Sequence, residues 1–365
     1  MLARFGLGLY LLTNTNIVSI SNAAGATLAN WNVQTLTYNG DPITVFPGDF
    51  HREDVDFKDL RRWRDLVAAD VYFLQEVTSP AAIDEVFPVV EGWRHCISGQ
   101  YAKAEGLPIK PVCSGPGDTP HKPTGPTRAQ YTAVALRAGS PFSILDTADD
   151  PALNVKSLDG GVERDIRWGL EVTLGFGEAK LRVLVVHLKS GCFDDQIKQS
   201  LWLNPPVDPP SSWACDTLGR QLYPLRAWIT LREAAGEAWM VVGDFNRRLD
   251  AGSGTFQDEV WKALSGYIPD KTGHDTDTRP DIPMFRSPYK EASVCWGEFR
   301  NPNPATLADA DDFNLLPIEF FLFGTKASAM VVPNSGRQVA WPHAIAADAK
   351  RLSDHCPASL LVLSN

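Results

Sequence analysis

Polar and charged side chains interrupt or end several strongly apolar segments of this sequence. Each lies in or directly beside a short run typical of a buried β-strand, and they are Asn32, Glu76, His187, Asp244, Asn246, Asp354 and His355. Burying such groups costs free energy unless they are paired, hydrogen-bonded or bound to a metal. If the strand ends lie at one edge of the core, carboxylates, amides and two imidazoles meet in a single cleft. That set predicts a site for a hard cation with acid and base groups beside it.

Short β-rich runs and two amphipathic helices have to position these side chains. We predict strands over residues 28–36, 71–75, 131–136, 170–174, 181–188, 239–242, 318–323 and 359–363. Apolar residues recur at helical spacing in two segments, at Phe57, Leu60, Trp63 and Val67 and at Leu218, Leu222, Leu225 and Ile229. The alternation is too irregular for an unbroken parallel βαβ series. We therefore predict an α/β (α+β) fold, in which two mixed β-sheets pack as a sandwich with helices on the outer faces, giving four layers α/β/β/α.

Long segments rich in Pro, Gly, Asp and Ser separate these elements, at 99–126, 204–212, 251–287 and 301–312. Surface loops of this length often carry substrate preference. No linker divides the chain convincingly. We predict a single domain over residues 27–365, preceded by residues 1–26 as either a signal peptide or an untidy N-terminus.

The N-terminal segment and the cysteines bear on the compartment of the protein. Arg4 precedes a mildly apolar stretch at 5–12, and residues 24–26 offer an Ala-x-Ala cleavage site, although polar residues dilute the apolar region. The six cysteines form no CxxC pair, which disfavours a zinc ribbon or a thioredoxin-like motif. Cys96 with Cys113 and Cys192 with Cys215 are the preferred disulfides, with the connectivity left open. These features favour a secreted or periplasmic protein; the alternative is a cytoplasmic protein with six reduced thiols.

The charge balance restricts how the chain can bind nucleic acid. A formal net charge of −10 argues against a high-affinity, nonspecific nucleic-acid coat, because such binding depends on many Lys and Arg contacts to phosphate. A nuclease needs only a local positive patch and a metal. No apolar run is long enough to cross a bilayer, and nothing in the sequence indicates an obligate protein partner.

Five motifs resemble the ordered signatures of the endonuclease/exonuclease/phosphatase superfamily. They are Trp31-Asn32-Val33, Gln75-Glu76-Val77, His187-Leu188-Lys189-Ser190, Gly243-Asp244-Phe245-Asn246 and Ser353-Asp354-His355-Cys356-Pro357. The superfamily includes deoxyribonuclease-like nucleases, abasic-site endonucleases, inositol-phosphate phosphatases and sphingomyelinases. A single motif would be weak, but five in the family's order, each attached to an apolar strand, are specific. The resemblance implies that the chain is a phosphoester hydrolase.

The resemblance also implies a divalent metal as cofactor. Glu76 would be the principal metal-binding carboxylate, assisted by Asn32 and, at a second position or in another metal state, by Asp354. Mg²⁺ is the first choice, with Mn²⁺ and Ca²⁺ as alternatives, because oxygen-ligand sites select among these ions by size and geometry.

Four further residues receive roles in proton transfer and phosphate binding from the same resemblance. Asp244 would orient or deprotonate the attacking water, and Asn246 would donate to a nonbridging phosphate oxygen. His355 would hydrogen-bond the phosphate or transfer a proton, with His187 as its partner on the opposite side. Which histidine is the acid and which is the base stays open.

One position departs from the family pattern, and three others are weaker candidates. Glu319 stands in Ile318-Glu319-Phe320-Phe321 where the family usually has an Asp that orients the final histidine; the alternative is a carboxylate that faces solvent. Lys189 could attract a substrate phosphate or be a solvated charge. Arg128 and Gln130 could line the cleft or orient His187.

Three functional hypotheses are compatible with these residues. The first is a secreted nuclease that cleaves DNA or RNA. The second is a phosphatase or sphingomyelinase-type hydrolase acting on a small phosphate ester or a lipid headgroup. The third is a binding protein that kept the fold and lost catalysis, and the retained acidic, amide and imidazole cluster argues against it.

Overall fold

The computed structural model of this chain describes most of its residues. The described ranges are 25–41, 52–124, 129–193, 195–204, 206, 210–247, 249, 258–266, 281–287, 318–339, 352–353 and 355–364. The strands in these ranges are β1 (Gly25–Leu36), β2 (Val71–Val77), β3 (Arg94–Ile97), β4 (Val112–Ser114), β5 (Tyr131–Leu136), β6 (Phe142–Asp150), β7 (Ser157–Asp159), β8 (Val162–Arg164), β9 (Gly169–Phe176), β10 (Ala179–His187), β11 (Ala238–Asp244), β12 (Met284–Arg286), β13 (Glu319–Gly324), β14 (Arg337–Gln338) and β15 (Ala358–Leu363). The helices are α1 (Asp54–Val67), α2 (Pro80–Val86), α3 (Gly99–Ala104), α4 (Ser200–Leu203), α5 (Ala214–Ala234), α6 (Glu259–Ser265) and α7 (Thr325–Ser328), with 3₁₀ turns at Val89–Glu91 and Pro151–Leu153.

The described strands form two large mixed sheets and a small hairpin. The first sheet has the order β14-β15-β1-β2-β5-β3-β4, and the second has the order β12-β13-β11-β10-β9-β6. Each large sheet contains one parallel pair, β1 with β2 and β10 with β11, among antiparallel neighbours. Among the described strands, β7 and β8 pair only with each other.

The two sheets pack face to face, and helices cover their outer faces. Leu28 and Phe73 of the first sheet share one buried cluster with Val185 and Phe321 of the second. On the outer face of the first sheet, Trp31, Tyr72 and Leu74 pack with residues of α1 and α2. On the outer face of the second, Leu184 and Val241 pack with residues of α5 and α6. Because both faces of the central strands are buried, their sequences are continuously apolar. The predicted four-layered sandwich is confirmed.

All eight predicted strands and both predicted helices are present, but two predicted loops are more ordered than expected. The segment 99–126 contains α3 and β4, and the described part of 251–287 contains α6 and β12. These elements have three to seven residues each, which is too short for a hydrophobic period to be visible in the sequence. The predicted loop at 301–312 lies outside the described residues.

Both preferred disulfides are confirmed. Cys96 is bonded to Cys113 and Cys192 to Cys215, and Cys356 is also disulfide-bonded. In the described part of the chain, no helix has the length and apolar character needed to span a membrane. Residues 1–24 lie outside the described residues; Gly25 and Ala26 open β1 and pair with Leu363 and Val362 of β15.

Candidate active site

The polar residues at the strand ends meet at one edge of the sandwich, where a single amide joins the two sheets. The Nδ2 atom of Asn32 in β1 donates to Glu76 Oε1 at 3.1 Å and to Asp244 Oδ2 at 3.0 Å. Glu76 belongs to the first sheet and Asp244 to the second. The carboxylates of two different layers are therefore held around one side chain, as the strand-end pattern predicted.

The Glu76 carboxylate is fixed by further hydrogen bonds. Its Oε2 atom accepts from the Thr35 backbone N–H at 3.1 Å, from Thr35 Oγ1 at 3.3 Å and from Gln130 Nε2 at 2.6 Å. The pairing of β1 with β2 shifts register between Asn32 and Leu36, which brings Thr35 toward Glu76. Glu76 itself has a φ of 61°, a left-handed conformation that is uncommon for this residue type. Such conformations cluster at functional sites, where the surrounding contacts stabilise them.

His187 and Asp244 lie side by side at the ends of β10 and β11, where they are paired in register. His187 Nε2 is 3.7 Å from both Glu76 Oε1 and Asp244 Oδ2, and its Nδ1 atom has no hydrogen-bond partner within the described chain. Burial lowers the pKa of His187 well below its usual range, and the positive charge of Arg167 lowers it further. Burial raises the pKa of Asp244 to about 7, partly opposed by His355. An acid with a pKa near the working pH is suited to proton transfer.

The Gly243-Asp244-Phe245-Asn246 turn is tied to the end of β10. The Asn246 backbone N–H donates to Asp244 Oδ1 at 2.7 Å, and Asn246 Nδ2 donates to the Leu188 carbonyl at 3.0 Å. The Leu188 N–H in turn donates to the Asp244 carbonyl at 2.9 Å. Asn246 has a φ of 49°, a left-handed backbone conformation that asparagine adopts more readily than most residues. One amide hydrogen of Asn246 is thus engaged with the backbone, and the other is available to a ligand.

Glu319 contacts His355 and does not face solvent. The residue is 3% exposed, and its Oε1 atom hydrogen-bonds His355 Nδ1. The backbone of His355 is held by Ser353, whose Oγ atom accepts from the His355 N–H at 3.1 Å and donates to the Asn32 carbonyl at 2.8 Å. The glutamate that replaces the family's usual aspartate therefore still reaches the final histidine.

Oxygen donors that suit a hard divalent cation converge at this edge. The carboxylates of Glu76 and Asp244 share the Asn32 amide as a common neighbour, and Asn32 Oδ1 accepts from the Gln34 N–H at 3.0 Å. The two carboxylates match the ligand chemistry of Mg²⁺, Mn²⁺ or Ca²⁺, whereas Asn32 turns its amide nitrogen toward them and its oxygen toward the Gln34 N–H. Asp354, the remaining predicted ligand, lies outside the described residues. Among the residues that are described, no three His, Cys, Asp or Glu side chains are grouped as in a metal centre.

Two residues that the sequence did not single out also belong to the site. Arg167 NH2 donates to Gln130 Oε1 at 2.9 Å, so Gln130 links Arg167 to Glu76. Burial lowers the pKa of Arg167, whereas Glu76 and Asp244 raise it. Thr35 is the second. Thr35 lies within β1 and Arg167 lies two residues before β9, but neither belongs to a recognisable sequence motif.

Three other residues were predicted to bind substrate: Gln130, Lys189 and Arg128. Gln130 contacts Glu76 and Thr35, and its hydrogen bonds do not go to His187. Lys189 is half-buried, and its Nζ atom donates to the Ser190 carbonyl at 2.9 Å. Burial lowers the pKa of Lys189 and the nearby Arg167 adds to this effect. Arg128 lies outside the described residues.

Comparison with known proteins identifies the class to which this fold and site belong. Residues 29–306 match the model of the Endonuclease/Exonuclease/phosphatase family, and the chain belongs to that family because the match covers well over half of it. No curated protein matches the sequence.

Solved structures resemble the chain at low sequence identity. TDP2 from C. elegans aligns with a TM-score of 0.52 at 13% identity, covering 93% of this chain and 75% of that one. D. rerio TDP2 complexed with single strand DNA product aligns with a TM-score of 0.51 at 14% identity, covering 93% and 100% of the two chains. An endonuclease/exonuclease/phosphatase family protein from Bacteroides thetaiotaomicron aligns with a TM-score of 0.51 at 12% identity, covering 94% and 100%. At these identities the likeness concerns the fold alone.

Proposed function

We propose that this protein is a secreted, metal-dependent phosphodiesterase that cleaves DNA or RNA by attack of water on phosphorus. The observation that carries the proposal is the Asn32 amide, which bridges Glu76 of one sheet and Asp244 of the other with His187 beside both carboxylates. A structural core would not gather two carboxylates and an imidazole without a ligand, because their burial is costly.

Glu76, Asn32 and Asp354 would hold the divalent cation, with Mg²⁺ preferred and Mn²⁺ or Ca²⁺ as alternatives. When bound there, the cation would stabilise negative charge on the phosphate and its leaving group. The hydrogen bonds to Glu76 from Thr35 and Gln130 keep its carboxylate in place. Such supporting contacts orient a metal ligand and adjust its basicity.

Asp244 takes the proton of the attacking water, and its raised pKa of about 7 suits that role. The water oxygen forms a bond to phosphorus while the bond from phosphorus to the leaving oxygen breaks. His355, oriented by Glu319, is placed to hydrogen-bond the phosphate or to protonate the leaving oxygen. His187 is kept neutral by burial and by nearby positive charge, so it acts as a hydrogen-bonding partner of the phosphate.

Positive charge at the site would hold the anionic substrate. Arg167 makes no ion pair within the described residues, and its only hydrogen bond there goes to a neutral amide. A guanidinium in this state keeps its donors for a phosphate, which it can bind through two hydrogen bonds. The amide hydrogen of Asn246 that makes no hydrogen bond within the described residues points to the same use.

Nucleic acid is the preferred substrate, and export is the preferred destination. The fold is shared with a TDP2 structure that contains a single strand DNA product. Disulfides at Cys96–Cys113 and Cys192–Cys215 suit an oxidising compartment. The overall negative charge would limit nonspecific binding to nucleic acid, which favours product release.

A substrate panel with purified protein tests the proposal. We expect metal-dependent cleavage of plasmid DNA or RNA that EDTA abolishes and added Mg²⁺ restores. Glu76→Ala and His355→Ala should each lower the rate by at least about a hundredfold, whereas Glu178→Ala, which alters an exposed carboxylate in the β9–β10 turn, should not.

Three results would contradict parts of this function. Turnover of a small phosphate ester or of sphingomyelin, with no turnover of nucleic acid, would show that nucleic acid is not the substrate. Full activity of both site variants would mean that the site is wrong. Calorimetric binding of Mg²⁺ without turnover of any substrate would indicate a binding protein that has lost catalysis.

A further inference from the structure

A single side chain outside the catalytic cluster holds the backbone on both sides of Arg167. Gln100 lies in α3, and its side-chain amide is buried. Its Nε2 atom donates to the Ile166 carbonyl at 3.0 Å, and its Oε1 atom accepts from the Trp168 N–H at 2.9 Å. These two hydrogen bonds fix the peptide groups that flank Arg167.

The contact continues from Arg167 to the principal metal-binding carboxylate. Arg167 NH2 donates to Gln130 Oε1 at 2.9 Å, and Gln130 Nε2 donates to Glu76 Oε2 at 2.6 Å. Arg167 is half-buried, and no described side chain forms an ion pair with it. The direction in which its guanidinium points therefore depends on the Gln130 amide and on its own backbone.

Helix α3 is itself firmly attached to the body of the protein. The Gly99 N–H donates to Asp149 Oδ1 at 2.7 Å, and the Ser98 N–H donates to the Thr132 carbonyl at 3.0 Å. A Cβ atom at position 99 would lie 2.8 Å from the backbone carbonyl carbon of Lys110, which cannot rotate away, so the helix packs closely against the following segment there. The Cys96–Cys113 disulfide closes the segment that contains the helix.

The backbone at Trp168, which follows Arg167, is also held in place by β5 and α3. Thr132 Oγ1 donates to the Trp168 carbonyl at 3.2 Å, and the Lys103 ammonium of α3 lies 5.6 Å from the Trp168 ring centroid. The backbone around Arg167 is thus fixed by α3 and β5 together.

We propose that Gln100 is a positioning residue, which holds Ile166 and Trp168 so that the Arg167 guanidinium points at the substrate phosphate. The disulfide-closed segment 96–113 then contributes to phosphate binding without touching the substrate. This inference rests on the proposed function of the site. It predicts that Gln100 acts on substrate binding and acts only through Arg167.

A double-mutant cycle separates this role from a general loss of stability. Gln100→Met keeps the length of the side chain and removes both hydrogen bonds, and Arg167→Met removes the guanidinium. We expect Gln100→Met to raise KM about tenfold with kcat changed by less than about twofold, the size expected for weakening one charge-assisted hydrogen bond. In the Arg167→Met background, the same change at Gln100 should alter kcat/KM by less than about twofold.

Two further variants keep the test decisive. Ser335→Ala is the matched control, because the Ser335 hydroxyl also bonds backbone groups of two residues, Val332 and Leu361, away from the site. It should lower the melting temperature and leave KM unchanged. If Gln100→Met does not fold, Gln100→Glu retains the acceptor for the Trp168 N–H and should raise KM through the lost bond to Ile166.

The outcomes distinguish this inference from the proposed function. Additive effects of Gln100→Met and Arg167→Met, or a fall in kcat at constant KM, would overturn the positioning role while the hydrolase function stands. A KM effect in Ser335→Ala as large as that in Gln100→Met would do the same. Wild-type protein that is inactive on every substrate of the panel would overturn the proposed function, and the inference with it.

Discussion

Gly243 is the position where one added methyl group should damage the site most directly. It lies in β11 opposite Val186 of β10, one residue before the paired His187 and Asp244. A Cβ atom there would lie 1.9 Å from the Val186 carbonyl oxygen and 2.8 Å from its carbonyl carbon, and the residue has a φ of +155°. These neighbours are backbone atoms, so no side-chain rotation can relieve the clash.

The expected cost of Gly243→Ala has two parts. Positive φ costs a non-glycine residue about 1 to 2 kcal/mol. An ordinary contact begins near 3.4 Å, so the two strands would have to separate by about 1.5 Å, and overpacking of this kind costs about a further 1 to 3 kcal/mol. We therefore expect the free energy of unfolding to fall by about 2 to 5 kcal/mol in total.

Gly139→Ala is the matched control, because Gly139 has a φ of +71° and a Cβ atom there would meet no neighbour within 4 Å. Both variants place a methyl group at a positive φ and change the unfolded chain in the same way, so a larger loss in Gly243→Ala reports the clash together with the less accessible φ at that position. Urea unfolding followed by tryptophan fluorescence gives both free energies, and hydrogen exchange reports opening of the β10–β11 pair. Equal destabilisation of the two variants would refute the reasoning.

Three other outcomes are expected. Cys96→Ser/Cys113→Ser should lower the free energy of unfolding by about 3 kcal/mol, the loop-closure value for a separation of 17 residues. Urea unfolding of this variant and of wild type without reductant measures the difference, and an unchanged midpoint would contradict it. Burial raises the pKa of Asp149 to about 6, so the charged carboxylate destabilises the fold above that pH, and this cost disappears as the pH falls toward the unfolded value near 4. Asp149→Asn should therefore be more stable than wild type at pH 8, by less than about 2 kcal/mol because solvent screens the group. This difference in the free energy of unfolding should disappear by pH 4, and a difference independent of pH would contradict the prediction. Glu319→Asp withdraws the carboxylate from His355 by about 1.5 Å, one C–C bond length. This change should lower kcat about tenfold in the assay that measures wild-type turnover. An unchanged kcat would show that this contact does not orient the histidine.

The central strands could be predicted from the sequence because both of their faces are buried. Strands such as β2 and β11 are apolar at nearly every position, and this pattern is typical of strands that are covered by a packed layer on each face. Strand β6 was missed for the opposite reason. It lies at the edge of the second sheet, most of its side chains are exposed or half-buried, and its acidic C-terminal end carries no apolar alternation.

The site could be predicted in part for a related physical reason. Asn32, His187 and Asp244 are buried polar residues, and burying such groups costs free energy unless they have a partner. Their residue types within apolar segments therefore indicate a candidate site. Gln100 and Arg167 give no such signal, because their partners are backbone groups and an amide brought together by the fold. Gln100 and Ile166 are 66 residues apart in sequence. No local period or motif reports a contact of that kind.

The relative placement of the two sheets sets the distances between the residues of the candidate active site. The first sheet carries Glu76 and the second carries Asp244, so neither sheet alone contains the pair that Asn32 joins. The apolar layer between the sheets, which includes Phe73 and Phe321, fixes how far apart the two carboxylates lie. Protein interiors are packed closely enough to transmit small changes in volume. The buried core between the sheets therefore helps to set the geometry of the candidate active site, although it does not line that site.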